Sequence, residues 1–198
     1  MPGPKPRAIA SVQRRPSPAR KRTTMPAQAV FYDDSPVNFM GSDPRFIHTI
    51  HCKTPITVQQ LKEARNMYRP GGKPTFFFFD FDNTLSVQAG LDPDLWNGVE
   101  SFDEVLAHLF GDEERQLALS VALGDLLRAG VCYVLTANQG YNVIAWLLNK
   151  LLEKRGSGSG GGDDASFVTN GTVLYAQSGS KIRRIQKVVQ ARGHTFAA

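Results

Sequence analysis

Four consecutive phenylalanines, Phe76 to Phe79, constrain this chain more than any other stretch; Thr75 precedes them and Asp80-Phe81-Asp82-Asn83-Thr84-Leu85 follows. A run with no polar alternation cannot turn one face to water. It reads as a strand buried on both faces, as in a parallel sheet covered by helices. The strand ends on two carboxylates one residue apart, and the carboxyl end of a buried parallel strand is where open α/β sheets place ligand sites. Alternate residues of an extended chain point to opposite sides, so Asp80 and Asp82 share a side only if the chain curls after Phe79. Asn83 suits such a curl, because Asn tolerates dihedrals that most residues avoid. The plain alternative is an acidic turn after a core strand. Against it stands the desolvation cost of carboxylates pressed on four Phe rings, which a cation or hydrogen bonds must offset.

Asp80-Phe81-Asp82-Asn83-Thr84 fits the pattern D-x-D-x-T and resembles the nucleophile motif of the haloacid dehalogenase-like phosphohydrolases, including the apolar strand before it. The resemblance implies that Asp80 is the nucleophile that becomes an aspartyl phosphate and that Asp82 is the general acid/base. It implies Mg²⁺ bound by Asp80 and the Phe81 carbonyl.

Three further stretches extend the resemblance. Ala29-Val30-Phe31-Tyr32 is a second apolar run ending in carboxylates, Asp33-Asp34-Ser35-Pro36-Val37-Asn38-Phe39. Alone, Asp33-Asp34 reads as a turn or helix cap. Repeating the geometry of the Phe run, it resembles the family's fourth motif, whose acids complete the magnesium shell; which of Asp33 and Asp34 touches the metal is left open. Val131 to Leu135 reads as a buried strand ending in Thr136-Ala137-Asn138. The resemblance makes Thr136 the second motif, its hydroxyl and the N–H groups from Ala137 onward holding phosphoryl oxygens at a helix start. Lys181 opens a helix, where a cation opposes the helix dipole unless an anion lies in front of it. It resembles the third motif, the Lys that balances aspartate and phosphoryl charge. A surface Lys is the reading it would receive alone.

In the family's usual order the fourth motif follows the Lys helix. Here its strand comes first, at 29–34, and the order reads as a circular permutation or as a fragment of a longer or tandem chain. The fold expected is α/β, a three-layer sandwich with a mostly parallel five-stranded Rossmann-like sheet and little or no cap.

The remaining elements follow from periodicity and punctuation. Phe46 to Cys52 alternates and reads as an edge strand; His48 and His51, three apart, face opposite ways and are no metal pair. Thr57 and Gln60 have capping-box spacing ahead of Val58, Leu61, Ala64 and Met67. Phe102–Phe110 and Asp112–Ala129 read as helices, with Asp112 as cap and Gly130 as stop. Val143, Ile144, Trp146, Leu147, Leu148, Leu151 and Leu152 form a broad apolar stripe expected in the core. Phe167-Val168 and Val173 to Tyr175 read as short strands about an Asn170-Gly171 turn. Ile182, Ile185, Val188 and Val189 face inward from the Lys181 helix. Residues 86–100 read as a small flap and 156–164 as a flexible loop.

Charge separates the two ends of the chain. The net charge is +5, yet residues 1 to 28 hold seven Lys and Arg and no acid, so the rest carries −2. Residues 1–27, rich in Pro and Arg, read as a disordered basic tail ahead of a domain over 28–198. The tail fits a solvated arm, a targeting segment or a nucleic-acid-binding arm, and Met25 could serve as an internal start. No basic face is legible in the domain itself, so nucleic acid is expected only through the tail. No apolar run approaches the roughly 20 residues of a membrane span. Cys52 and Cys132 read as reduced packing residues, which points to an intracellular protein, cytoplasmic unless the tail directs it to an organelle or nucleus. The expected activity is magnesium-dependent hydrolysis of a phosphate monoester, small or macromolecular. The alternatives are a catalytically impaired interaction module and a phosphotransferase.

Overall fold

The computed structural model describes residues 26–89, 101–154, 166–167, 172–177 and 179–196. Outside these lie the expected tail up to residue 25, the flap from residue 90, the loop at 156–164, and Val168 with the Asn170-Gly171 turn.

Five strands form one all-parallel sheet: β1 (Gln28–Asp33), β2 (Ile47–His51), β3 (Thr75–Asp80), β4 (Cys132–Thr136) and β5 (Val173–Tyr175), in the order β2-β1-β3-β4-β5. The helices are α1 (Val58–Met67), α2 (Phe102–Phe110), α3 (Glu113–Arg128), α4 (Tyr141–Glu153) and α5 (Lys181–Ala191). The Phe strand is central, with β1 and β4 on either side, and Tyr32 is in register with Phe79. Because all strands run the same way, Asp33, Asp80 and Thr136 end at one edge.

Alternation along the Phe run sends successive rings to opposite layers. Phe77 and Phe79 join the core beneath α1 to α4, whereas Phe76 and Phe78 pack with Ile182, Ile185 and Val189 of α5. Both faces are covered, which is why no position in the run needed a polar residue. Phe79 stacks on Tyr32 with centroids 5.0 Å apart, and Phe78 on Tyr133 at 5.1 Å. Phe79 is wholly buried. Phe79→Ala is therefore expected to cost about 3–5 kcal/mol of stability, read as a fall in the urea midpoint; a cost below roughly 1 kcal/mol would contradict such packing.

Local signals hold where backbone chemistry carries them. Thr57 and Gln60 form the reciprocal capping box of α1, the Asp112 side chain caps α3, and Gly130 follows that helix at φ +71°. Two expectations give way. Val143 and Trp146 are each 42% exposed, because α4 buries only the Ile144, Leu147, Leu148 and Leu151 side. Phe167 is a buried turn residue, and Val173–Tyr175 pairs parallel with β4 instead of forming a hairpin.

The two ends of the described chain meet. The Ala27 N–H donates to the Thr195 carbonyl at 3.0 Å, beside an isolated Pro26–Thr195 bridge. Ala27 has no exposed surface, so the packed unit begins before Gln28. This junction lies at the start of β1, at the sheet edge opposite Asp33 and Asp80.

Candidate active site at the carboxyl edge of the sheet

The chain curls after Phe79 as the alternation rule requires. Asp82 keeps extended dihedrals, and Asn83 takes φ 54°, ψ 2°, the sole non-Gly positive φ among the described residues. This turn brings Asp82 back beside β4, where the Thr136 Oγ1 lies 3.4 Å from Asp82 Oδ2. Arg115 clamps the curl from α3. Its guanidinium donates to the carbonyls of Ile56, Phe110, Thr84 and Leu85. Nothing in the sequence singled Arg115 out, because an Arg in the first turn of a helix looks solvated.

Lys181 is almost wholly buried and reaches from α5 between the two acidic strands. Its Nζ is 3.0 Å from Asp33 Oδ2 and 2.7 Å from Asp80 Oδ1. Burial alone would lower its pKa, but the Asp80 and Asp33 carboxylates outweigh that and hold it above the ordinary range. A surface role for this Lys is excluded. Asp33 is fully buried and saturated with donors: the Ser35 N–H, both contacts of the Asn38 amide nitrogen, and Lys181. The Asn38 side-chain oxygen in turn accepts from the Gly179 N–H, which locks the turn preceding α5 onto β1. Asp34 is more open, with Asn83 Nδ2 3.3 Å from its Oδ2.

One oxygen from each of Asp33, Asp34 and Asp80 lies within 4.8 Å of the others, so the three could hold a metal ion. The donor chemistry fits a hard cation, since all three groups offer carboxylate oxygen. Asp80 adds a second observation. It is only 3% exposed, and its Oδ1 has the Lys181 charge alongside but no aligned hydrogen-bond donor. Asp33 and Asp80 share the Lys181 ammonium and Asp34 adds a third carboxylate, an excess of acid that a divalent cation would offset. Burial, opposed by Lys181 and reinforced by Asp33 and Asp82, pushes the Asp80 carboxyl up to about 8.

That shift has a sign that can be checked. A carboxyl raised in the fold contributes stability that is complete below its unfolded pKa and lost as pH rises through the folded one. Metal-free protein is therefore expected to lose stability from about pH 5 to pH 9 in urea unfolding, and Asp80→Asn should flatten that slope. A wild-type profile that is level or rises over this range would refute the reading.

The remaining expected site groups are Phe81, Thr136 and Ala137. The Phe81 carbonyl accepts from the Ser86 N–H at 2.9 Å, and the Ser86 hydroxyl lies 3.1 Å from it and 2.5 Å from the Gln88 carbonyl. The single hydroxyl proton serves the nearer Gln88 carbonyl, so the Phe81 oxygen keeps a lone pair that a metal could take. Thr136 is fully buried, its hydroxyl accepting from the Asn138 N–H at 2.9 Å, while Ala137 is exposed at the rim. His51 takes no part in the carboxylate group; its Nε2 lies 2.9 Å from the Asp34 carbonyl. Beside Asp34 and Asn83 an open cleft of about 490 Å³ runs past His51 and Lys53.

Compared with models of known families, with curated proteins and with solved structures, the chain matches none. Residue chemistry and geometry therefore carry the functional argument alone.

Proposed function

We propose that this chain is a metal-dependent phosphate monoester hydrolase working through an aspartyl phosphate, similar to the haloacid dehalogenase-like phosphohydrolases with the order of its motifs permuted. The observation that carries the proposal is the convergence of Lys181 on Asp33 and Asp80, three residues taken from three separate motifs. The meeting of Ala27 with Thr195 supports the permutation, since a chain continued across that point would run from α5 into β1.

In this reading the Asp80 carboxylate attacks phosphorus and the ester P–O bond breaks. Asp82, half-exposed at the mouth, gives its proton to the leaving oxygen. It then takes a proton from water, which attacks the acyl phosphate and frees inorganic phosphate and Asp80. Thr136 orients Asp82, and Lys181 supplies positive charge where the phosphoryl group sits. Asp80 and Asp34 would hold the metal directly, because Asp33 has its oxygens committed to Ser35, Asn38 and Lys181. Magnesium, when bound, would neutralise the carboxylates and restore Asp80 to its ionised form.

The near-complete burial of Asp80 favours one competing reading, an interaction module whose acids hold a structural metal. Release of phosphate from an aryl phosphate on addition of Mg²⁺, abolished by EDTA, is the expected result. Metal binding without phosphate release would favour the module.

A further inference from the structure

Residues 28–198 carry a net negative charge and no basic face is legible in their sequence, yet one edge of the folded unit is basic. Arg183, Arg184 and Lys187 lie on α5 beside β5, and two adjoining open clefts, about 330 and 520 Å³, share Arg184 and Tyr175 as lining. No acidic side chain is among their described lining residues. Arg184 is the informative member: it lines both clefts and is only partly buried.

The aromatic partners are Tyr175, half-buried at the end of β5, and Tyr141, 40% exposed at the start of α4. The clefts lie beside the strand end that carries Thr136. Tyr175 is in register with Thr136, the next residue's N–H donates to the Thr136 carbonyl at 2.8 Å, and Arg184 lies one helical turn from Lys181.

We propose that this edge binds a single-stranded nucleic acid, so that the substrate of the neighbouring site is a strand bearing a terminal phosphate. The naming of a substrate rests on the phosphatase reading; the binding surface does not. Cations alone would suit any polyanion. Tyr175 and Tyr141, which line the same pair of clefts, favour a strand whose bases can stack, the arrangement that single-strand binders use. Nothing comparable is required by a phosphopeptide or a phosphoinositide headgroup.

The test uses the full chain in EDTA, with a fluorescent 12-nucleotide oligothymidylate carrying a 3′-phosphate as the probe and anisotropy as the readout. Three backbone contacts predict about a 20-fold loss of affinity from the groove between 50 and 200 mM salt. Arg183→Gln with Lys187→Gln should weaken binding at least tenfold and flatten the salt dependence; both residues are exposed, and an unchanged thermal midpoint checks the fold. Tyr175→Ala should weaken binding about fivefold or more with the salt slope retained. Variants that bind like the wild type would assign binding to the Arg-rich residues 1–25 and overturn the proposal. Displacement of the oligonucleotide by a phosphopeptide or by phosphoinositide vesicles at lower concentration than unlabelled strand would overturn it too. Aryl phosphate turnover without groove-dependent binding removes this inference and leaves the phosphatase; groove-dependent binding without turnover does the reverse.

Discussion

Asp80→Asn is expected to lower magnesium-dependent turnover of an aryl phosphate by on the order of 10³-fold or more. The amide has nearly the shape of the carboxylate but cannot form the acyl phosphate. Its fold should survive, because the site carries a charge excess that the substitution relieves. Burial already pushes the Asp80 carboxyl up to about 8, so the fold disfavours its ionised form when no metal is present. The variant should therefore be inactive yet no less stable than metal-free wild type at pH 8. These two signs separate loss of a reacting group from loss of structure. Turnover within tenfold of wild type would remove Asp80 as nucleophile, and a collapsed fold would make it a structural residue.

Lys181→Met should cost as much stability as the loss of a core aromatic ring. The Met side chain fills much of the same volume, but Asp33 and Asp80 then lose their common cation while both remain buried. Breaking one partner out of a buried ion pair typically costs about 3–5 kcal/mol, because the remaining charge is left uncompensated. Asp33 keeps Ser35 and Asn38 as donors, so the greater part of the cost should fall on Asp80, whose Oδ1 has no aligned donor. Stability should recover partly on acidification, as Asp80 protonates, and partly on adding Mg²⁺. Urea unfolding at pH 5 and pH 8, with and without the metal, reads all three effects. A loss under roughly 1 kcal/mol at pH 8 would mean that the ammonium does not balance these acids.

Much of this site was legible in advance. The Phe run could only be a strand covered on both sides, and its termination on Asp80 marked the edge where a ligand would sit. Asp33 was visible for the same reason, as the second apolar run closing on acids. The curl that unites Asp80 with Asp82 was legible in Asn83, whose short polar side chain tolerates a positive φ. Arg115 was not legible, because the carbonyls it holds come from three different segments. Nor was the contact of Ser86 with the Phe81 and Gln88 carbonyls, since five residues of irregular backbone carry no periodic signal. The α5 edge was hidden by averaging: a net charge of −2 says nothing about where three cations gather.

What the amino-acid order determined by itself is the set of strands and the chemistry at their ends, because an unbroken apolar run has one stable environment and a carboxylate beside it demands a partner. Which partner it found was decided only in three dimensions. Asp33 and Lys181 are 148 positions apart, and their bond exists because parallel pairing sets β1 beside β3 while α5 packs across both. Burial then gives that bond its strength, and burial belongs to the packed layers, not to any segment of the chain.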